Sequence, residues 1–151
     1  MTSISYRKAI SQDIPSLAKI RSGNPGIEKH WTDRISGYLN YTHNPQQALK
    51  PRIIYVATDY DKIVGFVAGH LTIRHDCEGE LQWINVIEEY QKHGIASELV
   101  KVLANWFVEQ KSYKICVDPG NDIARRFYKK NGAENLNAHW MFWKDIRDVF
   151  E

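Results

Sequence analysis

The stretch ELQWINVIEEYQKHGIASELV, Glu80–Val100, decides the fold. Its opening, ELQWINV, is rich in β-branched and aromatic side chains and reads as a strand. Its close, IASELV, begins an amphipathic helix running to about Gln110, with Ile95, Leu99, Val102, Leu103 and Trp106 as the apolar stripe. Between the two, Gly94 and Ala96 put small side chains at the mouth of the helix. The first N–H groups of a helix have no internal partners and carry partial positive charge. Small residues there let an anion come close, and Lys92, His93 and Ser97 add donors. A plain turn is the other reading of these residues.

On the N-terminal side, ISYRKAI alternates like a strand. SQDIPSLAKIRSG reads as a helix capped by Ser11, striped by Ile14, Leu17, Ala18 and Ile20 and ended by Gly23. GIEKHWTDRISGYLNYT is a second helix, with Ile27, Trp31, Ile35, Tyr38 and Leu39 on one side. After a polar loop, RIIYVAT and KIVGFVAGHLTI are strands joined by a DYDK hairpin turn, and RHDCEG turns the chain into ELQWINV. Beyond the opening stretch, YKICV is a strand and PGNDIARRFYKKNG a helix that Asn121 caps and Gly132 stops. AENLNAHWMFWKDI supplies one or two more strands. Alternation sends His139, Met141 and Trp143 to one face and Trp140 and Phe142 to the other, one set for the core and one for a homodimer interface.

The order is β-α-α-β-β-β-α-β-α-β(-β), and consecutive central strands form antiparallel hairpins. The later strand–helix–strand requires a right-handed crossover and parallel pairing. The fold class is therefore α/β (mixed α+β), with a mostly antiparallel sheet of about six or seven strands flanked by about four helices.

With 151 residues the chain suits one domain, 1–151, able to bury roughly two thirds of the surface its unfolded form exposes. A net charge of +2 is too small for the concentrated basic face that nucleic acid needs. Cys77 and Cys116 form no CxxC or Cys/His ligand spacing, so reduced thiols and no metal are expected. Cys77 is expected to be exposed in its turn, and Cys116 to be a small buried hydrophobe. No stretch resembles a signal peptide or a membrane span, and the expected location is cytoplasmic.

Gln91, Gly94 and Ala96 match the Arg/Gln-x-x-Gly-x-Gly/Ala signature of the GNAT N-acetyltransferases, with Ala96 standing for the commoner glycine. In NDIARRFYKKNGAE, Asn121, Ala124, Tyr128 and Gly132 are similar to the family's second signature. The element order resembles the GNAT fold across nearly the whole chain.

The resemblance implies an acetyl-CoA-dependent N-acetyltransferase. Backbone groups of Gln91, Lys92, His93, Gly94, Ile95, Ala96 and Ser97 would hold the pyrophosphate. Ile84, Asn85 and Val86 would pair with the pantetheine arm, which Asn121 would also touch. Arg125 would reach a phosphate or lie on the helix surface. The Val86 N–H would polarise the thioester carbonyl. Tyr128, two helical turns beyond Asn121, would protonate the leaving thiolate; its other reading is a packed aromatic.

Glu80 is the candidate base. Alternation puts Glu80, Gln82, Ile84 and Val86 on one face, and His75, Asp76 and Glu78 are the alternatives. Trp31 and Trp83, with His30, Asp33 and Arg34 near the first, are the acceptor-side candidates, although Trp31 also suits core packing. The expected acceptor is a primary amine of a small molecule. A protein or peptide amine, or a non-catalytic acetyl-CoA sensor, are the alternatives.

Overall fold

The computed structural model describes residues 3–23 and 25–151. Its seven strands form a single sheet in the order β1-β2-β3-β4-β5-β7-β6. β1 (Ile4–Lys8) precedes helices α1 (Ile14–Ser22) and α2 (Glu28–Leu39). β2 (Ala48–Asp59), β3 (Lys62–Thr72) and β4 (Gly79–Val86) are an antiparallel meander. Helix α3 (Ile95–Glu109) crosses to β5 (Ile115–Val117), which pairs parallel to β4. Helix α4 (Asp122–Lys130), β6 (Glu134–Asn135) and β7 (Met141–Trp143) close the chain, with β7 antiparallel to β5. The mixed sheet expected from the element order is the one observed.

The helices cover both faces. α3 lays Leu99, Val100, Leu103 and Phe107 against Val67, Leu81 and Ile115. On the other face, Leu17, Ala18, Ile35 and Tyr38 of α1 and α2 meet Ile54, Phe66 and Trp83. Each large apolar side chain so buried contributes roughly 1.5–3 kcal/mol. The α3 stripe is wider than expected, since Val100, Ala104 and Phe107 are buried and Val102 is only half-buried. A helix wedged between a sheet and the returning C-terminal segment hides more than one narrow face.

Several local expectations change. Ser11 does not cap the first helix; the Asp13 carboxylate accepts the Ile10 N–H at 2.8 Å and binds Arg7 at 2.7 Å, and a 3-10 turn leads into α1. Ile27 falls in a turn before α2 and is exposed. Cys77 is buried, because the turn it occupies packs against Cys116 of β5 and Phe142 of β7; both cysteines are free. The aromatic tail alternates as expected, with Met141 and Trp143 in the α3-side core and Phe142 and Trp140 around the cysteines. Phe142 is covered by its own chain, and Trp140, on the same face, is half-buried. No helix among the described residues is long and apolar enough to cross a membrane.

β4 is irregular at one point. Ala68 lies opposite Trp83 but Gly69 lies opposite Leu81, so Gln82 is the extra residue of a β-bulge. A bulge flips the alternation beyond it. Leu81, Ile84 and Val86 consequently face α3, whereas Trp83 faces α1 and α2. The single face expected for Glu80, Gln82, Ile84 and Val86 does not exist.

Gly79, at the start of β4, has no room for a side chain: a Cβ there would lie 2.4 Å from Phe107 Cε1 and 2.8 Å from Ile115 Cδ1. Gly79→Ala should lower the unfolding free energy by about 1–3 kcal/mol, as overpacking does. The check is the urea midpoint at unchanged m-value.

Candidate active site

β4 and β5 pair only from Gly79–Ile115 to Leu81–Val117. Past that point β5 gives way to Asp118, Pro119 and Gly120, where proline offers no N–H to a ladder. The strands part, and a cleft of about 1100 Å³ opens between them. The Ile87 N–H donates to Val64 O on β3, so by alternation the Val86 N–H and C=O point to the other edge, into the cleft. The Val86 carbonyl accepts from the Gln91 side-chain amide at 2.8 Å, which folds the following loop back onto the strand.

That loop delivers the mouth of α3. Lys92 (φ 65°) and Gly94 (φ 82°) are both left-handed, a turn that aims successive amides at one point. Gly94 is the N-cap, and no side chain caps the helix. The first helical bond runs from Glu98 N to Gly94 O, so the N–H groups of Ile95, Ala96 and Ser97 have no partner within the helix. A Cβ on Gly94 would meet nothing within 4 Å. Glycine is needed there for its φ, and the space beside it is open. Gln91, Lys92, Gly94, Ile95, Ala96 and Ser97 line the cleft, as do Ile84, Asn85 and Val86, and His93 does not.

The far wall is α4. Asn121 accepts the Ala124 N–H at 2.8 Å as its N-cap, so its amide nitrogen is the group free to reach the cleft. Arg125 does not turn toward the cleft. Its guanidinium donates to Asn135 Oδ1 at 2.8 Å and to His139 O at 3.0 Å, tying α4 to the loop before β7. Lys130, one further turn along, lines the cleft in its place. Tyr128 is buried, with its ring edge-on to Trp143 at 5.9 Å, and its hydroxyl borders the cleft without a hydrogen bond from the described residues. Burial pushes its proton affinity up, Arg21 works against that and Asp118 adds to it. The phenol is therefore protonated, and a donor, at any physiological pH.

On the α1–α2 side, Glu80 is buried and lines the cleft. Its Oε1 lies 3.5 Å from His70 Nε2 and 3.8 Å from Arg74 Nη1, within ion-pair reach. Neither Glu80 Oε1 nor His70 Nε2 completes a hydrogen bond. His70 Nδ1 is held by the Tyr38 hydroxyl at 2.8 Å, and burial raises the Tyr38 proton affinity well above that of a free phenol. Tyr38 therefore stays protonated, and Nε2 of the His70 ring faces Glu80. The other acids of the turn are placed elsewhere. Glu78 accepts the N–H groups of Tyr113 and Lys114 at 2.9 and 3.1 Å, His75 stacks on Trp140, and Asp76 is exposed.

Trp83 is buried and reaches the cleft from beneath, in contact with Tyr38. Trp31 does not line it. Trp31 packs edge-on to Trp83 at 5.7 Å, with His30 and Arg34 around it, while Asp33 pairs with Lys29 on the surface. The sequence reading missed Arg21 and Gln82, both in the cleft. Arg21 follows the apolar stripe of α1 as an ordinary charge, and the bulge at Gln82 has no marker in a run of strand formers.

The family model for the acetyltransferase (GNAT) family matches residues 24–133. The chain belongs to the GNAT acetyltransferase family. Solved GNAT relatives share the fold. A protein of the GNAT family from Desulfovibrio desulfuricans superposes with a TM-score of 0.75 at 15% identity, covering 95% of this chain and 99% of that one. PaiA N-acetyltransferase from Thermoplasma acidophilum, solved with coenzyme A, gives 0.68 at 17% identity, over 94% and 99%. An acetyltransferase from Thermus thermophilus gives 0.71 at 12% identity, over 94% and 98%. No curated protein sequence matches the chain. The parted β4 and β5 and the uncapped mouth of α3 fit a GNAT coenzyme A site: one offers free strand edges, the other free N–H groups facing open space.

Ala96→Asp separates the helix from its ligand. A carboxylate in the first turn should leave the fold intact or add about 0.3–1 kcal/mol through the helix dipole. It should weaken coenzyme A binding by roughly tenfold or more, as an anion occupies the cradle. Thermal unfolding and titration calorimetry read the two opposite signs.

Proposed function

We propose that this chain transfers the acetyl group of acetyl-CoA to a primary amine of a small molecule, by direct attack within a ternary complex. The observation carrying the proposal is the Tyr128 hydroxyl, protonated and without a hydrogen-bond partner among the described residues, in the same cleft as the free N–H groups at the mouth of α3. A module that only sensed the donor would have no use for an idle phenol there.

Acetyl-CoA brings the activated acetyl thioester. The N–H groups of Ile95, Ala96 and Ser97, which have no partner within the helix, would hold its pyrophosphate, and the β4 edge at Ile84 and Val86 would pair with its arm. The Val86 N–H, aimed into the cleft, stabilises negative charge on the acetyl oxygen. Glu80 accepts a proton from the incoming amine, and the Tyr128 hydroxyl gives one to the departing sulfur. The amine gains the acetyl group and loses a proton, and coenzyme A leaves as the thiol. The cleft and its residues belong to one domain spanning 1–151.

Thiol release from acetyl-CoA against a panel of amines and peptides tests this. Release with a small amine supports the reading, release with peptides alone replaces the acceptor class, and tight acetyl-CoA binding without any release overturns the enzyme. Tyr128→Phe should cut kcat by roughly a hundredfold or more with acetyl-CoA affinity nearly unchanged. Because the folded protein raises the Tyr128 pKa, the acid stays loaded as pH rises, and wild-type kcat should not fall between about pH 8 and 10. Glu80→Gln should depress the rate most at low pH, where more of the amine is protonated. An unaltered pH–rate profile removes Glu80 from proton transfer.

A further inference from the structure

Arg21, in the last turn of α1, is a cation with half of its hydrogen-bonding surface idle. Nη1 donates to Asn85 Oδ1 at 2.9 Å, and the guanidinium lies 5.0 Å from the centre of the Trp31 ring. Nε is shielded from water and has no partner. Nη2 makes no hydrogen bond among the described residues, and no carboxylate there comes within ion-pair distance of Arg21. Nε and Nη2 form one edge of the guanidinium, the fork that takes a carboxylate through two parallel hydrogen bonds. Arg52, the other shielded arginine, also leaves Nε without a partner but differs at its tip. Its terminal nitrogens reach Tyr38 O, His43 O and Asn44 Oδ1.

Arg21 lines the cleft together with Glu80, Gln82 and Tyr128. Asn85 and Trp31 hold Arg21 on the α1–α2 side of β4, across the sheet from α3 and its anion cradle. Two oxygens on the same wall complete no hydrogen bond either: Gln82 Oε1, and Glu80 Oε1, which has only the longer ion-pair contacts to His70 and Arg74. Leaving such groups unmatched is costly, and a ligand that matches them recovers the loss. The unmatched set is one two-pronged cationic donor and two acceptors, one of them on a carboxylic side chain. The complement is a molecule with a carboxylate at one end and an N–H-bearing amine at the other.

We infer that the acceptor is an amine that also carries a carboxylate, of the amino-acid class, with Arg21 as its carboxylate-binding residue. The inference rests on the proposed acetyl transfer and narrows its acceptor. Trp31, absent from the cleft, acts as the plate that keeps the guanidinium flat and directed.

The test is thiol release from acetyl-CoA with matched pairs, each amino acid against its own amide, together with phosphoethanolamine against β-alanine and a set of amines lacking any acid. The best amino acid should exceed its amide in kcat/KM by roughly tenfold or more, the scale of a charge-assisted hydrogen bond. Arg21→Gln should erase that preference by raising KM for the amino acid while KM for acetyl-CoA holds. Arg21→Lys should keep part of it. The acid–amide comparison uses the wild-type protein, so a poorly folding variant does not decide the matter. Amides turned over as well as acids overturn the inference, as does phosphoethanolamine preferred to β-alanine. So does an Arg21→Gln protein that loses affinity for acetyl-CoA with its amine selectivity intact. Turnover confined to amines without an acid overturns the inference and leaves the transferase standing; no turnover with any amine overturns both.

Discussion

The parting of β4 from β5 beyond Leu81 and Val117 is the constraint on which the functional half of the molecule depends. A closed parallel pair would have spent the outward N–H and C=O groups of Ile84 and Val86 on a neighbouring strand. With β5 ended by Asp118, Pro119 and Gly120, those groups border a cleft of about 1100 Å³ instead. The α3 mouth and the α4 wall sit on either side because each helix is tethered to one of the diverging strands. The geometry is held by burial behind it: Leu99, Leu103 and Phe107 of α3 fix the closed end of the pair against Leu81 and Ile115.

The bulge at Gln82 completes the arrangement. It reverses the alternation of β4 between its two ends, so Glu80 stays on the α1–α2 side while Ile84 and Val86 turn toward α3. One strand thereby presents Ile84 and Val86 to one face and Glu80 to the other. Glu80, Gln82 and Arg21 keep polar atoms unmatched, in an interior where such groups are ordinarily paired. Tyr38 and His70, deep beneath Glu80, show the same economy in reverse: every atom but His70 Nε2 is used, and that one points at the carboxylate.

Much of this was legible in the residues. The strand–helix order, the mixed sheet and the faces of Met141, Trp143 and Phe142 follow from periodicity, which is a local property. Gly94, Ala96, Asn121 and Tyr128 were findable as cleft-lining positions because their placement depends on a backbone conformation or a helical repeat that a few neighbours encode. Arg125 and Cys77 were misplaced because their surroundings are not local. Arg125 is drawn off by Asn135 and His139, and Cys77 is covered by Phe142 from the last strand.

Sequence by itself thus determined the family, the order of the elements along the chain, the small residues at the mouth of α3 and the position of the phenol on α4. Tertiary structure alone decided the wall formed by Arg21, Glu80 and Gln82. Arg21 meets Asn85 across 64 residues, Glu80 meets His70 through a hairpin, and Gln82 leaves register because the β3–β4 ladder slips by one residue. Hydrogen-bond satisfaction in three dimensions sets which polar atoms remain free, and no window of sequence carries that sum.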